Sequence, residues 1–142
     1  MTRVGFYIVE NADADARLRL ALRLTEKAHA RGHRIFINSE SEDQANELDN
    51  RLWSFRPSSF LPHTLVTQAS DAQICIGWGQ EPDGHDDLLI NLQTRVPKFI
   101  GRFRRVAELV NQEPARLSAL RDSYRHYRDR GYALEEHRLP SV

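Results

Sequence analysis

Apolar positions in this chain alternate between short continuous runs and longer stretches with helical spacing. The first run, Val4–Val9, is mostly β-branched and aromatic, which is typical of a strand buried on both faces. From Leu18 to Ala28 apolar residues recur every three or four positions, which predicts a helix. Arg34–Asn38 predicts a second strand, and residues 41–52 predict a second helix. This strand-helix order is typical of a parallel sheet with right-handed crossovers.

Polar and turn-forming residues bound these helices. Asp13 or Asp15 is the predicted N-cap of the first helix, because a short acidic side chain accepts hydrogen bonds from free backbone N–H groups. Gly32 is predicted to end that helix. Ser41 is predicted to open the second helix, whose inner face would carry Ala45, Leu48 and Leu52.

The second half of the chain continues the same pattern. It predicts strands at Gln73–Gly77, Asp87–Leu92 and Arg105–Val110, a link over 96–103 anchored by Phe99, Ile100 and Phe103, a helix from Pro114 to Arg130 capped by Gly131, and a short edge strand at Tyr132–His137. Residues 1–142 therefore predict a single domain of the α/β class. The expected architecture is a three-layer α/β/α Rossmann-like sandwich around a mostly parallel central sheet.

One stretch does not fit the alternation. In LDNRLWSFRPSSFLPH, Leu48–His63, the helical pattern stops and large apolar side chains continue among Ser, Arg and Pro. A connecting segment is normally polar. These aromatic residues either fill the protein's own core or form a patch for a partner, and spacing alone leaves both alternatives open.

Composition and charge narrow the class of protein. No apolar run approaches the roughly 18 residues of a membrane helix, and the N-terminal residues do not have the pattern of a signal peptide. A single cysteine suits a reducing cytoplasm. The net charge is zero, but residues 39–50 carry five acids and no Lys or Arg, whereas residues 95–130 carry ten bases against four acids. The C-terminal third is therefore the expected site of contact with an anionic partner.

The sequence contains little that favours catalysis or a cofactor. The first strand is followed by ENADAD, without the glycines and with more negative charge than a nucleotide-binding loop tolerates. The six histidines are scattered, so no metal site is predicted. Cys75 lies between two isoleucines and is expected to be a buried apolar residue. Ser58, Ser59 and His63 lack any accompanying oxyanion motif.

The last helix carries the clearest candidate site. Arg121, Tyr124, Arg125 and Arg128 stand at i, i+3, i+4 and i+7, so they share one helical face. Three guanidinium groups beside one aromatic ring are either a solvated basic face or an anion site. As an anion site they suit the phosphates of single-stranded nucleic acid or the carboxylates of an acidic peptide.

Motifs across the chain resemble the chi subunit family of bacterial DNA polymerase III. The resemblance rests on FYIV at Phe6–Val9, on LDNRLWSFRPSSFLPH, on DLLINL at Asp87–Leu92 and on LRDSYRHYRDRGYAL at Leu120–Leu134. It implies a non-catalytic accessory subunit with a Rossmann-like fold and neither cofactor nor metal. Such a subunit joins the clamp loader, through the psi subunit, to single-stranded DNA-binding protein (SSB). Some members of the family also partner a repair helicase.

The resemblance also implies two sets of site residues. The acidic tail of SSB, which ends in Asp, Pro and Phe with a free carboxylate, would bind Val110, Arg116, Arg121, Tyr124, Arg125 and Arg128. Psi would bind Leu52, Trp53, Phe55, Phe60, Pro62 and His63. One departure is Leu117, which stands where a basic residue would suit an acidic tail, and Arg116 is turned from it by about 100°. The expected location is cytoplasmic, at the replisome. The alternative function is direct binding of single-stranded nucleic acid by the basic helix.

Overall fold

The computed structural model describes residues 2–54, 61–68 and 71–142, which form one α/β sandwich around a parallel sheet. Its strands within the described residues are β1 (Arg3–Val9), β2 (Ile35–Asn38), β3 (His63–Leu65), β4 (Ile74–Gly77), β5 (Leu88–Asn91), β6 (Arg105–Val110) and β7 (Ala133–Leu139). Its helices in the same residues are α1 (Asp15–Ala30), α2 (Glu42–Ser54) and α3 (Pro114–Asp129), with a 3₁₀ turn at Ile100–Arg102.

The sheet has the strand order β3-β4-β2-β5-β6-β1-β7, and each described pair is parallel. Helices α1 and α2 cover one face, where Leu20, Leu48 and Ile37 belong to the same buried cluster. Helix α3 and the 96–103 link cover the other face, where Tyr127 and Phe103 pack on Phe6 and Phe36. The three-layer architecture predicted from the alternating pattern is therefore confirmed, and the sheet is more uniformly parallel than predicted.

The predicted glycine caps are confirmed. Gly32 follows α1 with φ +85°, and Gly131 follows α3 with φ +79°. The backbone N–H of His33 donates to the carbonyl of Ala28 at 3.1 Å, and that of Tyr132 donates to the carbonyl of Tyr127 at 3.1 Å. In both cases the left-handed glycine turns the chain so that the last carbonyl groups of the helix are satisfied.

The start of α2 is confirmed and the start of α1 differs from the prediction. Ser41 Oγ accepts the N–H of Gln44 at 3.1 Å, and Gln44 Oε1 accepts the N–H of Glu40 at 2.8 Å, a reciprocal cap. The cap of α1 is Ala14, which makes no side-chain hydrogen bond. The prediction of Asp13 or Asp15 was wrong because Arg19 and Arg51 engage these carboxylates instead.

One strand was not predicted. β3 is three residues long and lies at the sheet edge beside β4. Its residues, His63–Leu65, contain no apolar run long enough to indicate a strand. No helix within the described ranges 2–54, 61–68 and 71–142 has the length and apolar character needed to span a bilayer.

Candidate functional site

Tyr127 is the largest fully buried side chain that α3 contributes to the packing on the sheet. Tyr127 is fully buried, and its ring packs edge-on against Phe6 and Tyr132 at 6.0 and 5.7 Å between centroids. Its hydroxyl donates to Glu108 Oε2 at 2.5 Å. Successive residues of an α-helix are rotated by 100° about its axis. The buried position of Tyr127 therefore determines which residues of α3 face solvent.

Glu108 is the buried acceptor beneath α3. Asn91 Nδ2 lies 3.0 and 3.1 Å from its two carboxylate oxygens. Burial raises the pKa of Glu108 to about 7, although the hydrogen bonds from Tyr127 and Asn91 act in the opposite direction. Burial and the neighbouring Glu108 carboxylate likewise raise the pKa of Tyr127. The packing of α3 on the sheet therefore depends on the protonation state of the Glu108 carboxyl group.

The structure places the predicted basic stripe on the solvent side of α3. Arg121, Arg125 and Arg128 are exposed, and Tyr124 between them is half-buried with its ring 5.6 Å from that of Phe6. Arg128 contacts the adjacent Asp129 at 3.3 Å. Within the described ranges, no acidic side chain pairs with Arg121 or Arg125. Two guanidinium groups are thus free to bind an external anion.

The other two residues expected at the SSB-tail site lie differently. Val110 is only 5% exposed and packs in the cluster beneath α3. It therefore packs under the helix and contributes little accessible area for a partner. Arg116 binds Glu40 at 2.7 Å, and Glu40 also binds Arg17 at 3.2 Å. Arg116 is therefore already engaged, and it does not supply the charge missing at Leu117.

The second candidate surface is centred on Trp53, at the end of α2. Trp53 is 63% exposed, and its ring meets that of His63 edge-on at 4.6 Å between centroids. His63 Nδ1 lies 2.7 Å from the carbonyl oxygen of Leu61, and its Nε2 lies 3.2 Å from Asp49. The imidazole is therefore fixed in place beneath an exposed indole ring, which is a rigid apolar anchor.

The remaining residues of the predicted psi site divide into three cases. Leu52 is 2% exposed and packs in the core of the α1–α2 face, so it positions Trp53 from beneath. Pro62 is half-buried beside β3. Phe55 and Phe60 lie outside the residues that the structure describes.

Sequence reasoning missed the polar groups buried inside the sandwich. Glu108 stands in the middle of the apolar run RVAELV, and Arg17 faces the core from α1. Arg17 Nε donates to the carbonyl of Leu109 at 3.2 Å, and its guanidinium also donates to the carbonyl of Leu92. A charged residue at a position where spacing predicts burial is the one signal that could have indicated such a network.

Side chains of the protein itself cross the groove after the first strand. Arg17 lies there across the ends of β5 and β6, Asn111 Nδ2 donates to the carbonyl of Asp13 at 3.0 Å, and Gln112 Nε2 donates to the carbonyl of Val9 at 2.9 Å. These side chains occupy the place where a dinucleotide-binding fold holds its phosphates.

Other candidate chemistry is accounted for by packing. Cys75 is buried, as predicted, and burial raises the pKa of its thiol to about 11. His29 binds Gln73 at 2.9 Å, and His33 binds Asp87 at 3.0 Å. Among the described residues, no three His, Cys, Asp or Glu side chains come together as metal ligands would.

Comparison with known proteins gives a consistent result. Residues 1–135 match the family model described as "DNA polymerase III chi subunit, HolC". The chain is 49% identical to "DNA polymerase III subunit chi" of Pseudomonas aeruginosa over the full length of both chains. It is 35% identical to the protein of that name in Haemophilus influenzae, covering 91% of this chain and 92% of the relative. For the Escherichia coli protein of that name the identity is 30%, covering 94% and 96%.

Proposed function

The chain belongs to the DNA polymerase III chi subunit family, and from that premise we propose that it bridges the clamp loader to SSB through two separate surfaces. As a chi subunit it is a component of the polymerase complex that replicates DNA. In this proposal it has no catalytic site of its own. The SSB tail binds the basic stripe of α3, and psi binds the Trp53 surface.

The free guanidinium groups of Arg121 and Arg125 are the observation that carries the SSB part of the proposal. Both side chains are exposed beside a half-buried tyrosine ring, and neither has an acidic partner in the described chain. An acidic tail supplies carboxylates that a guanidinium binds bidentately. Leu117 and Leu120 continue the stripe towards the helix start and are half-buried, so they offer an apolar contact for the terminal Phe.

The energetics fit a weak, reversible contact. Burying one Phe contributes roughly 1.5–3 kcal/mol, and each charge-assisted hydrogen bond contributes about 1.5–3 kcal/mol. Ordering the peptide and losing its translational freedom oppose these gains. The balance predicts a Kd of the order of micromolar, near −8 kcal/mol.

The ring of Tyr124 favours a peptide over single-stranded nucleic acid on this helix. Nucleic acid needs an aromatic face on which bases stack. Tyr124 already packs against Phe6, with centroids 5.6 Å apart and planes tilted by 40°, and it is half-buried. Its remaining edge suits contact with a peptide backbone or a Phe side chain.

The decisive experiment is a titration with a synthetic acidic peptide that ends in Asp, Pro and Phe with a free carboxylate. Wild type is compared with Arg121→Ala and with Arg31→Ala, which removes an exposed arginine at the far end of α1. Loss of one charge-assisted contact predicts a roughly tenfold to hundredfold weaker Kd for Arg121→Ala. Arg31→Ala should bind as wild type does.

Two results would contradict this assignment. Equal binding by wild type and Arg121→Ala would remove the stripe as the peptide site. Absence of binding by the wild type would remove the SSB role itself. Tighter binding of a single-stranded oligonucleotide than of the peptide, abolished by Arg121→Ala, would favour the alternative function, direct binding of nucleic acid by α3.

The psi part of the proposal rests on Trp53. It is the exposed large apolar side chain of the described residues, and exposed aromatic anchors of this kind dominate binding energy at interfaces. Phe60, Pro62 and His63 are proposed to complete the psi contact, with Phe55 at its margin. A repair helicase is proposed to use the same surface, so it and psi would compete. The corresponding location of the protein is the cytoplasm, at the replisome.

A further inference from the structure

The sheet has two positions at which neighbouring strands send their connections to opposite faces. β1 is followed by α1 on one face, whereas its neighbour β6 is followed by α3 on the other. β2 is followed by α2 on the α1 face, whereas its neighbour β5 is followed by the 96–103 link on the α3 face. Open parallel sheets bind ligands at the carboxyl ends of strands at such positions.

The two positions differ in what occupies them. At β1 and β6 the side chains of Arg17, Asn111 and Gln112 cross the strand ends, and the cavity beside them has a volume of only about 280 Å³. At β2 and β5 a cavity of about 650 Å³ opens to solvent. That volume is within the roughly 300–1,000 Å³ of small-molecule sites.

The floor of this second crevice is a buried amide network. Asn38 ends β2 and Asn91 ends β5, and Asn38 Nδ2 donates to Asn91 Oδ1 at 3.0 Å. Asn38 Oδ1 accepts the N–H of Gly79 at 2.9 Å, and Gln93 Nε2 donates to the carbonyl of Ser39 at 2.9 Å. Because these groups satisfy one another, the floor is rigid before any ligand arrives.

The walls carry two aromatic rings. Trp78 follows β4 and packs against the cluster of the α1–α2 face, whereas Phe99 packs against the cluster of the α3 face. Both rings are half-buried. They therefore border the crevice from opposite sides of the sheet, each anchored in a different core cluster.

The charge of the crevice is positive once ion pairs are counted. Of the acids in its lining, Glu40 is bound by Arg17 and Arg116, and Glu81 is bound by Arg102 at 2.8 Å. The lining also contains Arg95 and Lys98. Neither cation pairs with an acidic side chain in ranges 2–54, 61–68 and 71–142.

We propose that the crevice between β2 and β5 binds one nucleotide unit, with Arg95 and Lys98 on the phosphate, the base against Trp78, and Phe99 on the opposite wall. Arginine and lysine are the side chains that proteins use for phosphate. An aromatic wall suits any nucleobase, because every base has a flat π-face. Thr94, which is exposed at the rim, supplies a hydroxyl group for the sugar or the base edge.

A nucleotide fits these walls better than an acidic peptide does. The proposed SSB-tail site on α3 combines free arginines with an aliphatic contact. This crevice instead offers the indole ring of Trp78 and the phenyl ring of Phe99 over a polar floor. The nucleotide arrives either free or within a single strand. This site does not depend on the SSB-tail proposal, because the two sites use different residues. If the ligand is a single strand, the same subunit would contact both that strand and SSB.

The test is a fluorescence titration in a Trp53→Phe background, which leaves Trp78 as the sole tryptophan, because the sequence has two. The probes are dTMP, an oligothymidylate of eight nucleotides and inorganic phosphate. Quenching of Trp78 by dTMP or by the oligonucleotide is expected, with phosphate at least about tenfold weaker because it cannot stack. Equal affinities for the two nucleotide probes indicate a free nucleotide as ligand, and a tighter oligonucleotide indicates a strand.

Charge variants give the matched control. Arg95→Ala/Lys98→Ala should weaken binding by about tenfold or more, because two phosphate contacts are lost. Arg23→Ala/Lys27→Ala removes the same charge from exposed positions on α1 and should bind as the parent does. The proposal is overturned if neither nucleotide probe quenches Trp78, if inorganic phosphate binds equally well, or if binding is lost in Arg121→Ala/Arg125→Ala and kept in Arg95→Ala/Lys98→Ala.

Discussion

The two proposed partner surfaces of this chain differ in the chemistry of their exposed side chains. On α3 the exposed groups are guanidiniums, and the apolar side chains next to them are half-buried. At the end of α2 the exposed group is an indole ring, 63% exposed, and the polar group beneath it, His63, is fixed by its neighbours. One surface therefore attracts through charge, and the other attracts through the removal of apolar area from water.

What lies beneath each surface differs in the same way. Helix α3 rests on a buried polar pair, Tyr127 and Glu108, whose strength depends on the protonation of a carboxyl group. Helix α2 rests on the fully apolar row Ala45, Leu48 and Leu52. Salt should therefore act on the α3 surface and leave the Trp53 surface nearly unchanged, and the stability of the packing beneath α3 should depend on pH.

Trp53→Ala should weaken psi binding more strongly than any other change considered for these surfaces. Truncating a central aromatic anchor costs roughly 2–4 kcal/mol, which corresponds to about 30- to 1,000-fold in Kd. The stability of the chain should change by less than about 1 kcal/mol, because the ring is mostly outside the core. Calorimetric titration with purified psi measures the first quantity, and denaturant unfolding measures the second.

Asn46→Ala is the matched control, since Asn46 is exposed on the same helix two turns earlier. It should bind psi as wild type does. A large loss of folding stability in Trp53→Ala, together with loss of SSB-tail binding, would show that Trp53 belongs to the core and does not form a partner surface.

The free energy of unfolding should depend on pH through Glu108, the buried acceptor beneath α3. Burial holds the pKa of Glu108 at about 7, above its ordinary value of 4.5. The folded chain therefore binds a proton that the unfolded chain has released, and this stabilisation is complete below about pH 4.5 and lost as pH rises through 7. Relative to Glu108→Gln, wild type should lose on the order of 2–3 kcal/mol between pH 5 and pH 8. Parallel unfolding free energies in both proteins would refute a buried, titrating Glu108.

Tyr127→Phe should have a smaller effect. It removes the hydroxyl that donates to Glu108 and keeps the ring, so the expected cost is about 1–3 kcal/mol of unfolding free energy. Tyr132→Phe is the control, because in the described chain its hydroxyl makes no hydrogen bond. Equal stabilities of the two variants would mean that the Tyr127 hydroxyl does not hold α3.

The smallest expected effect is the response to salt. Raising NaCl from 0.05 to 0.5 M should weaken SSB-tail binding by about fivefold or more, because exposed charges are screened. Psi binding at the Trp53 surface should change by less than about twofold over the same range. A salt response of similar size at both surfaces would remove the distinction between a charged and an apolar contact.

The sequence predicted the framework of the fold because that framework depends on local patterns. The run Val4–Val9, the glycines at 32 and 131 and the row Ala45, Leu48 and Leu52 each indicated an element that the structure contains. β3 was not predicted because its three residues show no apolar run or alternation. Within the described residues, it belongs to the sheet through its pairing with β4. The N-cap of α1 was not predicted correctly because Asp15 pairs with Arg19 one turn along the helix and with Arg51 of α2, which is distant in sequence.

The candidate sites were predictable only where a helical period brings residues together. Arg121, Tyr124 and Arg125 share a face by spacing alone. The state of Arg116 depends on Glu40, 76 residues away, and the crevice between β2 and β5 gathers residues from three separate segments. Contacts of this kind follow from strand order, which periodicity does not contain.

The two proposed surfaces should work independently of each other, and a single titration can establish whether they do. The complex of this chain with psi is formed first, and the acidic SSB-tail peptide is then titrated into it beside the chain alone. Independent surfaces predict the same peptide Kd, within about twofold, in both titrations. A peptide that displaces psi, or that no longer binds once psi is present, would contradict the bridging role.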